Sequence, residues 1–551
     1  MTMIKRLTHP ATALVFLGTL YLFSRLVNLT ALPMVFDEAI YIRWASLIHE
    51  DPELLFISLV DGKAPFFFWL NAVTLGWFDD FLVSARMLSV LAGAAAGLGI
   101  YRIGELLYSR ATGLLATLIY LSQPLVLTHD RLGLVEALFT ALVIWTVYAG
   151  LRLARDPAPS WYWALGLGVL AGFGFLTKTP MLMFLIFPVL AVFVFNDFRN
   201  PARWLRLAGA GGVFVVLILP FLLYEPSYTY PRVSRVLHHN IHLFDTLIAT
   251  LTSQNPYLTG GLREFGAVLL LYVTEPVLVL FAVGWGLGMR RVPHRTLLVS
   301  LWLVLPTLVF LIYAEAWFAR YFLVTFPPVA LLAAEGLHFL MAWVYKTLRA
   351  RSAGLGWTTA AVLCVMCLLP TWQWNVQYLT VPAQAAWTPT DRYQYVRYEQ
   401  GPTATAEVVQ FLKDQARQGP IVVFLTPQFG IPSDALCLFL KDHPRIQIYE
   451  EWRGLTIPRY LHKAQQIQVY PSKFQPTAAA TLVPPGDLAG KPIYFIANVR
   501  VFPIGKVLAE NPQLSLIQVY DDLAPHDLFS FAVYRHPPLA PPQTAHREGR
   551  P

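Results

Sequence analysis

Charge is scarce in this sequence. Asp, Glu, Lys and Arg make up 13% of 551 residues, against 56% hydrophobic and 14% aromatic. A soluble chain of this length needs far more charge to cover its surface, so a soluble globular protein is excluded. Cysteine is nearly absent too. Cys364 and Cys367 lie inside an apolar block and Cys437 stands alone, which supports neither a disulfide framework nor a zinc site. No small-residue cleavage site follows the first apolar block, Ala11 to Asn28, before "FDEA", so that block reads as a retained span and not a signal peptide. No internal repeat stands out, which disfavours the inverted-repeat transporter folds.

What is present is grouped apolar sequence. Blocks long enough to cross a bilayer run through Ala11–Asn28, Met87–Leu107, Thr112–Leu127, Leu134–Leu153, Tyr162–Leu176 and Met181–Phe195. Others follow at Leu207–Tyr224, Phe265–Gly288, Leu297–Tyr313, Tyr321–Tyr345 and Gly354–Pro370. At about 20 residues per helical crossing, the chain is a polytopic α-helical membrane protein of about 11 spans. The net charge of +8 does not imply nucleic acid, because many of the cations sit in short loops between apolar blocks. With the N-terminus in the cytoplasm, the inside loops are "YSR", "RLARDPAPS", "NDFRNPARWLR", "GMRRVPHR" and "KTLRARSAG", nearly all basic. The C-terminus then falls on the extracytoplasmic side of the cell membrane.

The expected organisation is a membrane domain over 1–373, with an outer loop over 29–85 that holds interfacial helices. "DGKAPFFFWLNAVTLGWFDDF" is apolar but short and reads as a re-entrant or interface-lying helix, with Trp69 and Trp77 in the aromatic belt. Residues 374–536 read as a small outer α/β domain. "TAEVVQFLKDQARQ" has helical periodicity, and "GPIVVFLTP", "KPIYFIANVR" and "FSFAVYRH" are β-rich runs. The tail 537–551, rich in proline, is expected to be disordered.

Charged groups beside a bilayer are costly and mark function by default. The predicted outer side gathers Asp37, Glu38, Lys63, Asp61, His129, Asp130, Arg131, Glu136, Lys178, His238, His239, Glu315 and Arg320 from several short connections. In "FDEAIYIRWA", Asp37 and Tyr41 share one helical face while Ile40, Trp44, Leu47 and Ile48 line another, which predicts a helix lying on the membrane. Asp37 suits an N-cap; it equally suits a general base for a hydroxyl, or a ligand for a divalent metal. Lys178, before Pro180, and Arg320, before Tyr321, are suited to bind a lipid phosphate, with snorkelling as the plain alternative, which Lys63 shares. Asp130 and Arg131 could pair within their loop, and Glu136 could reach the site. His239 and His242 could share a face and ligate a metal, although loop histidines are more often structural.

These motifs resemble the GT-C glycosyltransferases, nearest to the protein O-mannosyltransferase group and the related aminoarabinose transferases and RgtA/B/C/D-like enzymes. "FDEAIYIRWA" is similar to their acidic motif, and "GKAPFFFWLNAV" to their Lys-Pro-Pro segment, with Ala64 replacing a proline. "GFGFLTKTP" resembles their "GLxxLTKGP" turn, with Thr179 where glycine is usual, and "ARYFLVTFPPVALLAA" a stretch of a late span. "DRYQYVRYEQGPTATAEVVQFL" resembles, less distinctively, the opening of the outer domain in bacterial members. The resemblance covers most of the chain to about Leu340.

It implies a multispan bundle whose active site, at the outer membrane face, passes a sugar from a polyprenyl-phosphate carrier to an acceptor hydroxyl, usually with inversion. The acceptor is protein, glycolipid or envelope glycan. Asp37 would be the base, Glu38 its support, and Tyr41 a shaping residue. Lys63, Lys178 and Arg320, with Tyr321, would hold the carrier phosphate. Asp130 and Glu136 compete for the family's second acidic site, and Glu136 matches its Asp position, which leaves Asp130 and Arg131 as expected substrate-binding residues. That Glu-for-Asp replacement bears on any metal, for which Asp37, Glu136 and His239 are the candidates. Two other classes fit the composition: a transporter or flippase, and a non-catalytic envelope assembly protein.

Overall fold

A computed structural model describes residues 10–156, 160–195, 198–223, 250, 252, 255, 257–314, 317–349, 351–397, 401–425, 430–431, 433–450, 465–466, 490–499, 503–520 and 531–536. His238, His239, His242, Glu315 and the tail 537–551 lie outside the described residues. The chain divides into two compact units. One takes the described residues of Met1–Ala31, Asp51–Glu225 and Pro231–Asp391, and the other those of Leu32–Glu50 and Arg392–Pro551.

The first unit is helical. Among the described residues, six helices are long and apolar enough to cross a membrane: Phe81–Leu107, Val135–Arg155, Pro201–Leu223, Pro293–Tyr313, Ala319–Leu348 and Ala353–Thr380. Ala11–Leu26, Trp161–Thr177 and Met181–Val194 are apolar but shorter. Polar residues set their starts. Asp80 accepts from the N–H groups of Leu82 and Val83, Ser109 from Thr112, and Ser160 from Tyr162.

The predicted span Phe265–Gly288 is two helices, Leu258–Val273 and Glu275–Arg291, bent by 97°. The break falls on Thr274, at φ +70, with Pro276 opening the second helix. Proline cannot donate to the preceding turn and turns the residues before it away from helix. The block Thr112–Leu127 is likewise split at Gln123, ahead of Pro124. Between Glu275–Arg291 and Phe326–Leu348 the helix backbones meet at Gly284 and Gly336. A Cβ on Gly336 would collide with the carbonyl of Leu280, so only glycine permits this approach.

The second unit holds a six-stranded mixed sheet in the order β3-β2-β1-β4-β6-β5. Its strands are β1 Ile421–Leu425, β2 Ile446–Glu450, β3 Gln465–Gln466, β4 Ile493–Asn498, β5 Ser515–Tyr520 and β6 Phe531–His536. β1 runs parallel to both β2 and β4, and β6 pairs antiparallel with β4 and β5. β1 and β4 are buried throughout, and β1, with a parallel neighbour on each side, is the continuous apolar run that such a strand should be. Val422, Phe424, Phe495 and Tyr534 form the core with Val507 of the helix Ile504–Glu510. The predicted strands β1, β4 and β6 and the helix Gly401–Gln418 are present.

The helix Phe36–Glu50, which carries the acidic motif, belongs to this second unit. Phe36 packs against Gly430, whose φ of +82 demands glycine. Lys441 donates to Ser46 at 2.7 Å and pairs with Glu50. Every residue from Glu38 to Ile48 is buried. The expected two-faced helix lying on the membrane is therefore corrected. Its apolar residues Ile40, Ile42, Trp44, Ala45, Leu47 and Ile48 surround the axis, and such a helix is buried on all sides.

Candidate active site

Within the first unit, three of the charged groups named from sequence converge. Glu136 opens the helix Val135–Arg155 and is 4% exposed. Its Oε1 accepts from Lys178 Nζ at 3.2 Å and lies 3.8 Å from Arg320 Nε. Lys178 ends the helix Trp161–Thr177 in an extended conformation, so its side chain leaves the helix towards Glu136. Arg320 lies on the 3-10 segment Ala319–Thr325, and its guanidinium covers the Phe318 ring at 4.7 Å. Lys178 Nζ also stands 4.9 Å from the centre of the Tyr321 ring, a cation–π contact that steadies the ammonium.

His129 is buried within the field of these groups. Burial drives its pKa down to about 4, against the pull of Glu136. A neutral imidazole therefore stands beside two cations and one carboxylate. His129 is one of the outer-side groups of the sequence, and no motif there assigns it a role.

Lys63 follows Gly62, whose φ of +68 turns the chain into the helix Phe66–Thr74. Phe66 of that helix stacks on Phe173 at 4.3 Å. Phe173 lies in the helix that ends at Lys178, so the two lysines sit on packed neighbours.

Asp130 and Arg131 make a separate arrangement. Asp130 Oδ2 accepts from Arg25 Nε at 3.1 Å and from Arg25 Nη2 at 3.0 Å, with both side chains 2% exposed. Gly93 gives room for that carboxylate on the helix Phe81–Leu107, since a Cβ there would strike it. Arg131 donates from Nη1 to the carbonyls of Ser24, Arg25 and Val27 at 2.9, 2.7 and 2.8 Å, and from Nη2 to Asn28 at 2.5 Å. These carbonyls end the helix Pro10–Leu26, where backbone acceptors lack helical partners.

A second buried acidic group lies near Arg320 and escaped the sequence. Glu264 accepts from Thr388 at 2.6 Å and from Thr390 at 2.7 Å, and Asp391 from Tyr272 at 2.7 Å. Burial is the main cause that raises the Asp391 pKa to about 7, and the Glu264 charge adds to it, while Tyr272 and Arg320 oppose it.

In the second unit, Asp37 and Glu38 occupy the first turn of the motif helix, where the dipole favours carboxylates. Glu38 Oε2 accepts from the Val35 N–H at 2.9 Å, so a bond back to the chain ahead of the helix comes from Glu38. Tyr41 is buried and stacks on Trp44 with centroids 6.3 Å apart.

Metal chemistry fits Glu136 poorly. Two cations already supply the positive charge that a divalent ion would bring. Among the described residues, no group of three His, Cys, Asp or Glu side chains could hold a metal.

Residues 62–224 match the family described as dolichyl-phosphate-mannose-protein mannosyltransferase. No curated protein gives a significant match. Among solved structures, the chain is similar to ArnT from Cupriavidus metallidurans bound to undecaprenyl phosphate, with TM-score 0.59 and 14% identity over 94% of this chain and 97% of that one. It is similar to the archaeal oligosaccharyltransferase AglB from Archaeoglobus fulgidus in complex with an inhibitory peptide and a dolichol-phosphate, with TM-score 0.50 and 11% identity, covering 76% and 62%. An oligosaccharyltransferase structure from the same organism, in complex with zinc and sulfate, gives TM-score 0.53 and 12% identity, covering 94% and 73%. These likenesses bear out the GT-C resemblance and the fold class: a multispan helical membrane protein with a small C-terminal sheet domain.

Proposed function

We propose that this chain, whose fold is that of the GT-C glycosyltransferases, moves a hexose or pentose from a polyprenyl-phosphate carrier to an acceptor hydroxyl at the outer face of the membrane. The observation that carries the proposal is the convergence of Lys178 and Arg320 on the buried Glu136. Two cations at the end of membrane helices suit a lipid phosphate. Undecaprenyl phosphate in the ArnT structure and dolichol-phosphate in the AglB structure support a carrier of that class.

In the reaction, the acceptor oxygen attacks the anomeric carbon and the bond from that carbon to the phosphate oxygen breaks. The electron pair leaves with the carrier phosphate, where Lys178 and Arg320 neutralise it. Glu136 keeps the two cations aimed before the carrier arrives, and Lys63 and Tyr321 complete the phosphate side. Asp37 keeps the role that its motif implies, taking the acceptor proton, with Glu38 fixing its helix start and Tyr41 shaping the acceptor side. Attack opposite the leaving phosphate inverts the anomeric centre. Asp130 and Arg131 hold the frame. The N-terminus is cytoplasmic and the second unit extracytoplasmic, with the boundary near 374–391.

The test is release of labelled sugar from a panel of polyprenyl-phosphate donors by protein in lipid nanodiscs, with and without chelator. Water serves as a poor acceptor. Wild type should consume one donor, while folded Asp37→Asn loses about 10²- to 10⁴-fold in rate, the usual worth of a general base. Equal donor binding with no turnover in either protein would refute the reading and favour a transporter or an assembly role.

A further inference from the structure

The second unit contains a cavity of about 370 Å³ that the reaction above does not use. It lies where β1 and β2 begin, against the C-terminal half of the motif helix. Its charged lining is Arg43, Lys441, Arg445 and Lys491, with Glu50 and Asp442, so cations outnumber carboxylates by two. Arg43 is only 2% exposed. These groups come from the motif helix, from the turn before β2 and from the chain ahead of β4.

The cations are held in place by the fold. The carbonyl of Arg445 accepts from Ile421 N at 2.9 Å as β1 begins, which fixes the backbone beside the cavity. Arg445 Nη1 donates to the Arg417 carbonyl at 3.2 Å, and Lys491 Nζ to Gln447 Oε1 at 3.4 Å. Arg445 and Lys491 make no ion pair among the described residues, whereas Lys441 is taken by Glu50. For Glu50, burial pushes the pKa up, but the bond and charge of Lys441, together with Ser46 and Arg43, hold it below the usual range. Glu50 is thus held as the carboxylate that pairs with Lys441, and the lining keeps two more cations than carboxylates.

We propose that this cavity binds a phosphate group carried on a sugar, as a second oxyanion site for the acceptor. Guanidinium and ammonium groups converging on a partly enclosed pocket are the donor set that holds phosphate. The volume suits a phosphorylated monosaccharide. The site lies at one end of the helix whose other end carries Asp37, and 15 helical residues span about 22 Å. An acceptor gripped here by its phosphate would present a hydroxyl several sugar units away. What the binding is for rests on the glycosyltransferase reading; the binding itself does not, and it is tested without turnover.

The experiment is lysine footprinting of the full chain in phosphatidylcholine nanodiscs, with acetylation of Lys441 and Lys491 read by mass spectrometry. Glucose 6-phosphate should protect both lysines saturably, slowing labelling about threefold or more, and glucose should not. Arg445→Gln should raise the half-saturating concentration about tenfold, the worth of one charge-assisted contact. Equal effects of the two sugars, or no protection by either, would overturn the proposal. So would protection by phosphatidylglycerol nanodiscs without any sugar, which would assign the cavity to lipid headgroups. Because wild type alone gives the primary result, a misfolded variant cannot hide it. Loss of donor turnover with protection intact would refute the enzyme reading and leave this site standing.

Discussion

Replacing Arg131 by Ala should unfold the start of the chain before it affects any substrate. One guanidinium serves four carbonyls, those of Ser24, Arg25, Val27 and Asn28, and covers the Tyr378 ring at 5.6 Å. Asn28 in turn donates to the carbonyl of Leu379 at 3.0 Å, so the first helix and the helix Ala353–Thr380 are tied at this point. Each bond from a charged donor is worth about 1.5–3 kcal/mol, but four that share one headgroup do not add. A loss of about 4 kcal/mol is expected. Arg131→Lys should recover less than half of it, because an ammonium lacks the planar fork. Denaturant or thermal unfolding followed by tryptophan fluorescence measures the loss. If Arg131→Ala unfolds at the wild-type midpoint while its KM for donor rises tenfold or more, Arg131 is a substrate ligand and the clamp argument fails.

Four further outcomes are expected. Arg25→Ala should cost about 3–5 kcal/mol by leaving Asp130 buried alone, whereas Arg25→Met with Asp130→Leu should cost far less, as unfolding midpoints would show. Asp391 should make stability fall by about 1.4 kcal/mol per pH unit as pH rises from about 4 to 7. Its native pKa of about 7 lies above the ordinary 3.8, so in that window only the folded state holds the proton, and stability is full below it; a slope unchanged in Asp391→Asn would refute this. Gly336→Leu should abolish folded protein in size-exclusion profiles, because the side chain meets the Leu280 carbonyl. Lys178→Ala and Arg320→Ala should each lower kcat/KM for the lipid donor about 10- to 100-fold and cost about 1–3 kcal/mol of unfolding free energy, because the buried Glu136 keeps only one of its two cations.

The membrane character, the sheet domain and the three groups at Glu136 were legible in the sequence for a common reason. Long apolar blocks have few alternative structures, and a lysine in the tight turn "LTKTP" has few places to go. The partners of Asp130 and Arg131 were not legible. "THDRLGL" states that charges occur in a turn; it does not state that Arg25, inside an apolar block, will meet one of them. Gly93 was a trace of that pair, visible only once the helices are packed. The break at Thr274 had a signal in "TEP", overruled by the continuous hydropathy around it. β2 and β5, "IQIYE" and "SLIQVY", carry strand-forming residues that the surrounding charge obscured. The Glu264–Asp391 region joins residues far apart in sequence and leaves no local pattern at all.

The motif helix Phe36–Glu50 folds with residues that come after Arg392. Its sequence neighbours and its structural neighbours are therefore different things. Trimming the chain after the last membrane helix, as one would to obtain a minimal membrane core, would strip Phe36, Ser46 and Glu50 of the contacts they make with Gly430 and Lys441. Grafting a sheet domain from a relative would do the same unless residues 32–50 travelled with it. For anyone recombining such chains, and for any lineage that exchanged these parts, the inherited module is discontinuous.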